Sequence, residues 1–229
     1  FGIAGFAGGV GIGTIFLKRG YSLQRTYALS KLESAIMPAI QVGLLVLVVT
    51  APAFIFFSQK GPGAMHAPWL ISLAAGLVVG GLSQYSRLCT VGGFRDLFLF
   101  KKSVLIFGYI AVLVGVFAVN ISFGNFHLGF ENQPVSHTDG LWNFLGMALA
   151  GFCSVLLGGC PLRQLIMTGE GNSDSAVTVL GLAAGAAFAH NFGLAASGAG
   201  PTLNGQIAVG IGFVVALIIA VLNTKRSNA

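Results

Sequence analysis

Two cysteines sit beside breaks in apolar sequence, where a thiol can do specific chemistry. Cys89 lies in Leu88-Cys-Thr-Val-Gly-Gly-Phe-Arg-Asp-Leu-Phe-Leu-Phe100, and Cys160 in Gly158-Gly-Cys-Pro-Leu-Arg-Gln-Leu-Ile-Met-Thr-Gly169. A thiol is a weak S–H donor and a soft, polarizable group. At a helix break it can offer its S–H to an anion while neighbouring backbone N–H groups also point inward. A short helix starting after the break adds a positive dipole end, which favours an anion. Gly92-Gly93 and Gly158-Gly159 permit the unusual backbone angles of a break, and Pro161 can open a new helix at its first turn. Arg95 and Arg163 can raise the anion concentration near a mouth. The plainer reading is that Cys is a small apolar residue, among the most buried types, and that both serve packing. Cys153 lies mid-span without a break and is read as structural.

A second polar feature is His190-Asn191, set in Ala-Phe-Ala-His-Asn-Phe-Gly. Ionisable residues within a membrane are rare and usually face a cavity or a partner. The pair either lines a path, bonds between helices, or sits near an outer interface. Gln84 and Tyr85 precede Cys89; they either line the same cavity or anchor at the interface, the depth Tyr favours. His66, His127 and His137 have no metal-ligand spacing and read as solvated loop residues, so no metal and no cofactor are expected. In the polar turn from Glu170 to Ser175, an Asp or Ser is expected to cap the next helix.

The elements that must hold these residues are long and apolar. The 229 residues are 55% hydrophobic and only 8% charged, against about 25% charged in average globular chains. Mean hydropathy is +0.87. The 34 glycines sit inside apolar runs, which suits close helix packing in lipid. A span needs about 20 apolar residues, and seven segments approach that length: 1–17, 34–57, 68–87, 103–123, 141–160, 174–196 and 205–223. The two cysteine stretches are too apolar for loops and too short to span. They predict helix, break, short helix, a pattern tolerated at membrane depth only where it is buried or lines a cavity. Paired broken helices point to a transport site. Each stretch has a Cys beside a Gly-Gly pair and then an Arg, a weak internal repeat. Gly76-x-x-x-Gly80 and Gly181-x-x-x-Gly185 are read as packing contacts within the bundle. The expected fold is therefore all-α: a polytopic helical membrane protein, residues 1–229 forming one transmembrane domain.

Charge supports the span count. With the C-terminal Lys225 and Arg226 called inside, alternation puts Lys18, Arg19, Arg25, Lys31, Arg87, Arg95, Lys101, Lys102 and Arg163 on the same side. Only Lys60 falls outside, with Glu131 and Asp139. This is the positive-inside pattern, and it predicts a cytoplasmic C-terminus. The net charge of +6 thus belongs to membrane orientation; no nucleic-acid motif accompanies it. Three cysteines without extracellular spacing argue against a disulfide framework, and no nucleotide-binding motif is present.

Ser86-Arg-Leu-Cys-Thr-Val-Gly-Gly-Phe-Arg-Asp and Gly158-Gly-Cys-Pro-Leu-Arg-Gln-Leu resemble the signatures of the YeeE/YedE membrane family, closest to its selenium-associated YedE branch. The resemblance runs from about Tyr21 to Ala199. It implies a bacterial inner-membrane uptake protein for small sulfur compounds, thiosulfate above all. It also implies an hourglass-like bundle with short helices entering from both sides. Cys89 and Cys160 would be relay thiols passing the cargo by S–H···S hydrogen bonds. A TusA-like sulfur carrier would be the cytoplasmic partner, and a selenium compound an alternative cargo. Family members are longer, so the chain is expected to be a C-terminal part of a longer protein. Two rival readings remain: a membrane thiol oxidoreductase using Cys89 and Cys160 as a redox pair, and an anchor for a cytoplasmic carrier complex.

Overall fold

The computed structural model describes residues 1–23, 30–54, 64, 67–129 and 137–224. Among them are nine helices and no strand. They are α1 (Gly2–Lys18), α2 (Lys31–Thr50), α3 (Trp69–Ser86), α4 (Thr90–Phe100), α5 (Val104–Ser122), α6 (Gly140–Leu156), α7 (Pro161–Gly169), α8 (Ser173–Asn191) and α9 (Leu203–Leu222). Seven coincide with the expected apolar segments, and the other two, α4 and α7, are the short helices expected after the breaks. Arg25, Lys60, His66, Glu131, Lys225 and Arg226, which enter the charge and loop readings, lie outside the described residues.

Five stretches are long and apolar enough to cross a membrane: α2, α3 with α4, α5, α6 with α7, and α9. The protein is a multi-pass helical membrane protein. At 17 residues α1 is shorter, and α8 carries Ser, Asp, His and Asn at its ends.

The ends of the helices follow local chemistry. Ser30 and Glu33 form a reciprocal capping box at the start of α2, satisfying two otherwise orphaned N–H groups. Asp139 accepts from Trp142 N–H at 3.2 Å, and Thr202 accepts from Gly205 N–H at 2.9 Å. The cap of α8 corrects the sequence expectation. Neither Asp174 nor a serine fills it; Asn172 Oδ1 accepts the Ser175 N–H at 2.9 Å. Gly171 takes a positive φ of 85° just before, which ends α7 and leaves Asn172 as the first residue able to cap.

The chain divides into two compact units. The first comprises 1–25, 88–161 and 181–229; the second comprises 26–87 and 162–180. In the first, α1 lies against α6 along a stripe of glycines. A Cβ on Gly5 would strike the Phe144 carbonyl, one on Gly9 the Ala148 carbonyl, and one on Gly151 the Phe6 carbonyl. Such backbone contact is how small residues join helices in lipid. The expected glycine contacts lie elsewhere: Gly76, Gly80, Gly181 and Gly185 have nothing within 4 Å of a would-be Cβ. They face open space because the small residues that meet a neighbour are those on α1 and α6.

Around this seam Phe152 is fully buried, with Tyr21, Leu156, Ala216 and Ala220 beside it and Cys153 packed against the cluster. Tyr21 Oη donates to the Leu156 carbonyl at 3.2 Å. Burial, and then the neighbouring Cys153, push the Tyr21 phenol above its ordinary pKa, so it stays a donor. Phe94 brings α4 in, its ring 6.0 Å from Phe6 and 5.8 Å from Tyr109 on α5. Gly93 lets α4 rest on the Leu105–Ile106 backbone, 3.2 Å from a would-be Cβ to the Ile106 nitrogen.

The second unit has a different interior. Among the described residues its buried side chains are Ser83, Gln164, Thr168, Ser175 and Ala176, small or polar rather than bulky. Thr168 Oγ1 donates to the Gln164 carbonyl at 2.7 Å. A cavity of about 730 Å³ lies between α2 and α3, lined by apolar residues such as Leu45, Val49, Trp69 and Leu73, with Ser72 the hydroxyl among them. Apolar walls of this kind suit hydrocarbon, not an anion.

Candidate functional site

Both cysteines stand at the same point of the same local construction. Each lies two residues after a left-handed residue that ends a long helix, and one residue before a short helix. In the first stretch the left-handed residue is Arg87, φ 52°, followed by Leu88, Cys89 and then Thr90 at the start of α4. In the second it is Gly158, φ 83°, followed by Gly159, Cys160 and then Pro161 at the start of α7. After α6 the turn is a full Schellman motif: Gly159 N–H reaches the Ser154 carbonyl and Gly158 N–H the Val155 carbonyl, both at 3.0 Å.

This frame explains why the two stretches align poorly as strings. The Gly-Gly pairs are not equivalent. Gly158-Gly159 make the break before Cys160, whereas Gly92-Gly93 lie inside α4, buried, after Cys89. The break before Cys89 is made by Arg87, a residue sequence reasoning passed over because arginine seldom adopts positive φ. The strain predicts opposite outcomes at equivalent positions. Arg87→Gly should stabilise by about 1 kcal/mol, and Gly158→Ala should destabilise by about the same. The thermal midpoint of the purified full-length protein should rise in the first variant and fall in the second.

Cys89 is the N-cap of α4. Its Sγ accepts the Gly92 N–H at 3.3 Å, and its carbonyl accepts the Gly93 N–H at 2.9 Å. A Cβ on Gly92 would stand 3.5 Å from that sulfur, so glycine there keeps the thiol's side of the helix open. Cys160 is buried directly before α7. Cys160 lies close enough to Cys89 for the two thiols to interact electrostatically. All three cysteines are free thiols. Cys153 sits half-buried in α6 on the Tyr21 cluster.

The arginines are engaged. Arg95 on α4 pairs with the adjacent Asp96 at 2.9 Å, which offsets its charge locally. On α7, Arg163 Nη1 donates to Gln84 Oε1 at 2.8 Å, and Gln84 Nε2 in turn donates to Glu170 Oε1. The Gln84 amide thereby links a guanidinium to a carboxylate, a role its position before Cys89 did not reveal. His190 and Asn191 occupy the exposed last turn of α8, where Asn191 Nδ2 donates to the Ala187 carbonyl at 2.8 Å. Among the described residues no group of three or more His, Cys, Asp or Glu could hold a metal.

Chemically, two buried thiols, each set just before a short helix, offer soft S–H donors beside backbone N–H groups. Such donors are compatible with a polarizable anionic ligand.

Comparison with known proteins bears on this chemistry. The thiosulfate transporter TsuA of Escherichia coli strain K12 is 27% identical over 115 residues, which cover 47% of this chain and 30% of TsuA. The chain thus spans less than a third of that relative's length. No solved structure matches. The family described as "Sulphur transport" matches residues 85–225, a stretch that holds both cysteine frames. More than half of the chain is covered, and the protein belongs to the sulphur transport family, the YeeE/YedE proteins.

Proposed function

We propose that this chain carries part of the path by which a small sulfur-containing anion of the thiosulfate class is taken up across a membrane. The matching placement of Cys89 and Cys160, each buried one residue before a short helix, is the observation that carries the reading. Thiosulfate has a terminal sulfur that can accept S–H···S hydrogen bonds, and two adjoining donors can hold it in turn. Weak successive sites suit transport, since cargo must both enter and leave. Gly92, Gly93, Gly158 and Gly159 keep the backbone around the thiols free of side chains. Arg95 and Arg163 stand on the short helices that follow them, and His190 and Asn191 extend the polar lining at the end of α8. In this reading the protein lies in the bacterial inner membrane with its C-terminus in the cytoplasm. A TusA-like carrier receives the sulfur there. A selenium compound is a second cargo in this reading.

The test is uptake of labelled thiosulfate, and separately of selenite, by cells that make the full-length protein, beside cells with the empty vector. Thiosulfate accumulation well above the vector cells is expected. Accumulation equal to theirs for both compounds overturns the transport reading and favours the anchor role.

A further inference from the structure

We infer that Arg163 is the residue that takes the oxygens of the anion, and that Gln84 is a positioning residue that keeps the guanidinium open for it by standing between Arg163 and Glu170. All three residues lie in the second unit. Gln84 is in the last turn of α3, Arg163 in the first turn of α7, and Glu170 directly after the end of α7. Arg163 Nη1 donates to Gln84 Oε1 at 2.8 Å, and Gln84 Nε2 donates to Glu170 Oε1. A guanidinium with a carboxylate in reach ordinarily takes it directly, in a bidentate pair. Here a neutral amide fills that place, its oxygen toward the guanidinium and its nitrogen toward the carboxylate. Among the described residues the ion pair formed is Arg95 with Asp96; none joins Arg163 to a carboxylate. The two arginines that follow the breaks are therefore unlike. Arg95 has its charge offset by its neighbour, whereas Arg163 is held in place without being neutralised.

An amide oxygen carries only a partial charge, so it fixes the guanidinium while leaving most of the positive charge to act on a third group. Gln84 engages Nη1, and the planar fork keeps further N–H donors for bidentate recognition of an oxyanion. Arg163 is half-buried, and Gln84 and Glu170 are exposed, so the guanidinium is reachable yet partly shielded from bulk water. Ser83 and Gln164, the chain neighbours of Gln84 and Arg163, are buried, so both groups are presented from covered elements. Thiosulfate has a soft terminal sulfur and a hard sulfonate end. Thiols suit the first, and a guanidinium suits the second. Without the Gln84 amide the Glu170 carboxylate is the partner left for Arg163, and an incoming anion has to displace a charge already tied to the same segment of chain. Thiosulfate as the anion rests on the uptake reading above; an oxyanion site at Arg163 does not.

The sharpest variant exchanges the two partners of the chain, Gln84→Glu together with Glu170→Gln. A carboxylate at position 84 accepts from Arg163, and an amide at position 170 donates back to it, so both hydrogen bonds and the net charge are kept. What changes is the group beside the guanidinium, from neutral to negative. Binding of labelled thiosulfate to the purified full-length protein in proteoliposomes, at fixed ionic strength, should weaken about tenfold in this variant, with the thermal midpoint unchanged. Arg163→Gln, which removes the guanidinium outright, should weaken binding at least as much. A merely structural network leaves binding intact in the exchanged variant, because its bonds survive. Binding unweakened in Arg163→Gln overturns the site. Binding weakened there but intact in the exchanged variant, or a lowered midpoint in the exchanged variant, overturns the role of Gln84. Net uptake by the same proteoliposomes keeps this inference apart from the reading it deepens. Binding that depends on Arg163 without uptake overturns the uptake reading while the site stands, and uptake with binding untouched by both variants does the reverse.

Discussion

Cys89→Ser and Cys160→Ser are each expected to lower thiosulfate uptake at least about tenfold, with the protein still present in the membrane. Serine keeps the size and a hydrogen-bond donor, so the fold should persist. The Gly92 N–H that Cys89 Sγ accepts finds a hydroxyl oxygen in its place. What changes is softness: a hydroxyl is harder, holds its proton more tightly and matches a polarizable sulfur poorly. A tenfold loss corresponds to about 1.4 kcal/mol, within the reach of one mismatched hydrogen bond in a buried site. Because the thiols are close enough to interact, their effects should not add. The double variant should transport about as poorly as either single one, the signature of two groups acting as a unit. Uptake unchanged in both single variants would remove the thiols from the path. Losses that simply multiply would make them independent stations.

Gly9→Leu should prevent the first unit from assembling. Even a methyl group on Gly9 lands on the Ala148 carbonyl, and backbone on both sides leaves no flexible end to give way. Overpacking a well-fitted interior commonly costs about 1–3 kcal/mol, and a branched side chain driven into backbone belongs at or above the upper end. Separating α1 from α6 also strains the Tyr21 bond to the Leu156 carbonyl and the Phe16–Phe152 ring contact at 5.8 Å. Gly8, one residue earlier, would bring its Cβ no closer than 3.7 Å to the Phe144 ring. Gly8→Ala should therefore behave as the unmodified protein does. Size-exclusion profiles of detergent-extracted protein separate the outcomes: a single sharp peak for Gly8→Ala, aggregate or loss for Gly9→Leu. A sharp peak for both would mean that α1 is not held to α6 by this seam.

Long elements were readable because a membrane span leaves a long apolar signature, and the two short helices because Gly-Gly and Pro161 punctuate the second stretch. What stayed hidden is tertiary or depends on backbone angle. The nearness of Cys89 to Cys160 brings together residues far apart in the chain, and no periodicity records such an approach. Arg87 gives no hint of a left-handed turn, since the same residue type serves mostly in ordinary conformations. The glycines divide in the same way. Gly76 and Gly80 have the spacing of a packing motif yet touch nothing, while Gly5, Gly9 and Gly13 form the seam. Spacing marks a smooth face without saying what covers it. Charge was legible only as a count per side, so neither the Arg95–Asp96 pair nor the Arg163–Gln84–Glu170 chain could be foreseen.

The glycine seam also sets an order of events during synthesis. Gly9 and its neighbour Ala148 are separated by about 140 residues of chain, and translation proceeds at roughly 5–20 residues per second. For several seconds at least, α1 must wait with its smooth, backbone-exposing face uncovered while five further helices emerge. In lipid that face can meet only acyl chains, other helices already inserted, or the insertion machinery. A nascent α1 is therefore exposed to premature pairing with any passing small-residue helix, and the protein depends on its insertion partners to keep that face unclaimed until α6 arrives.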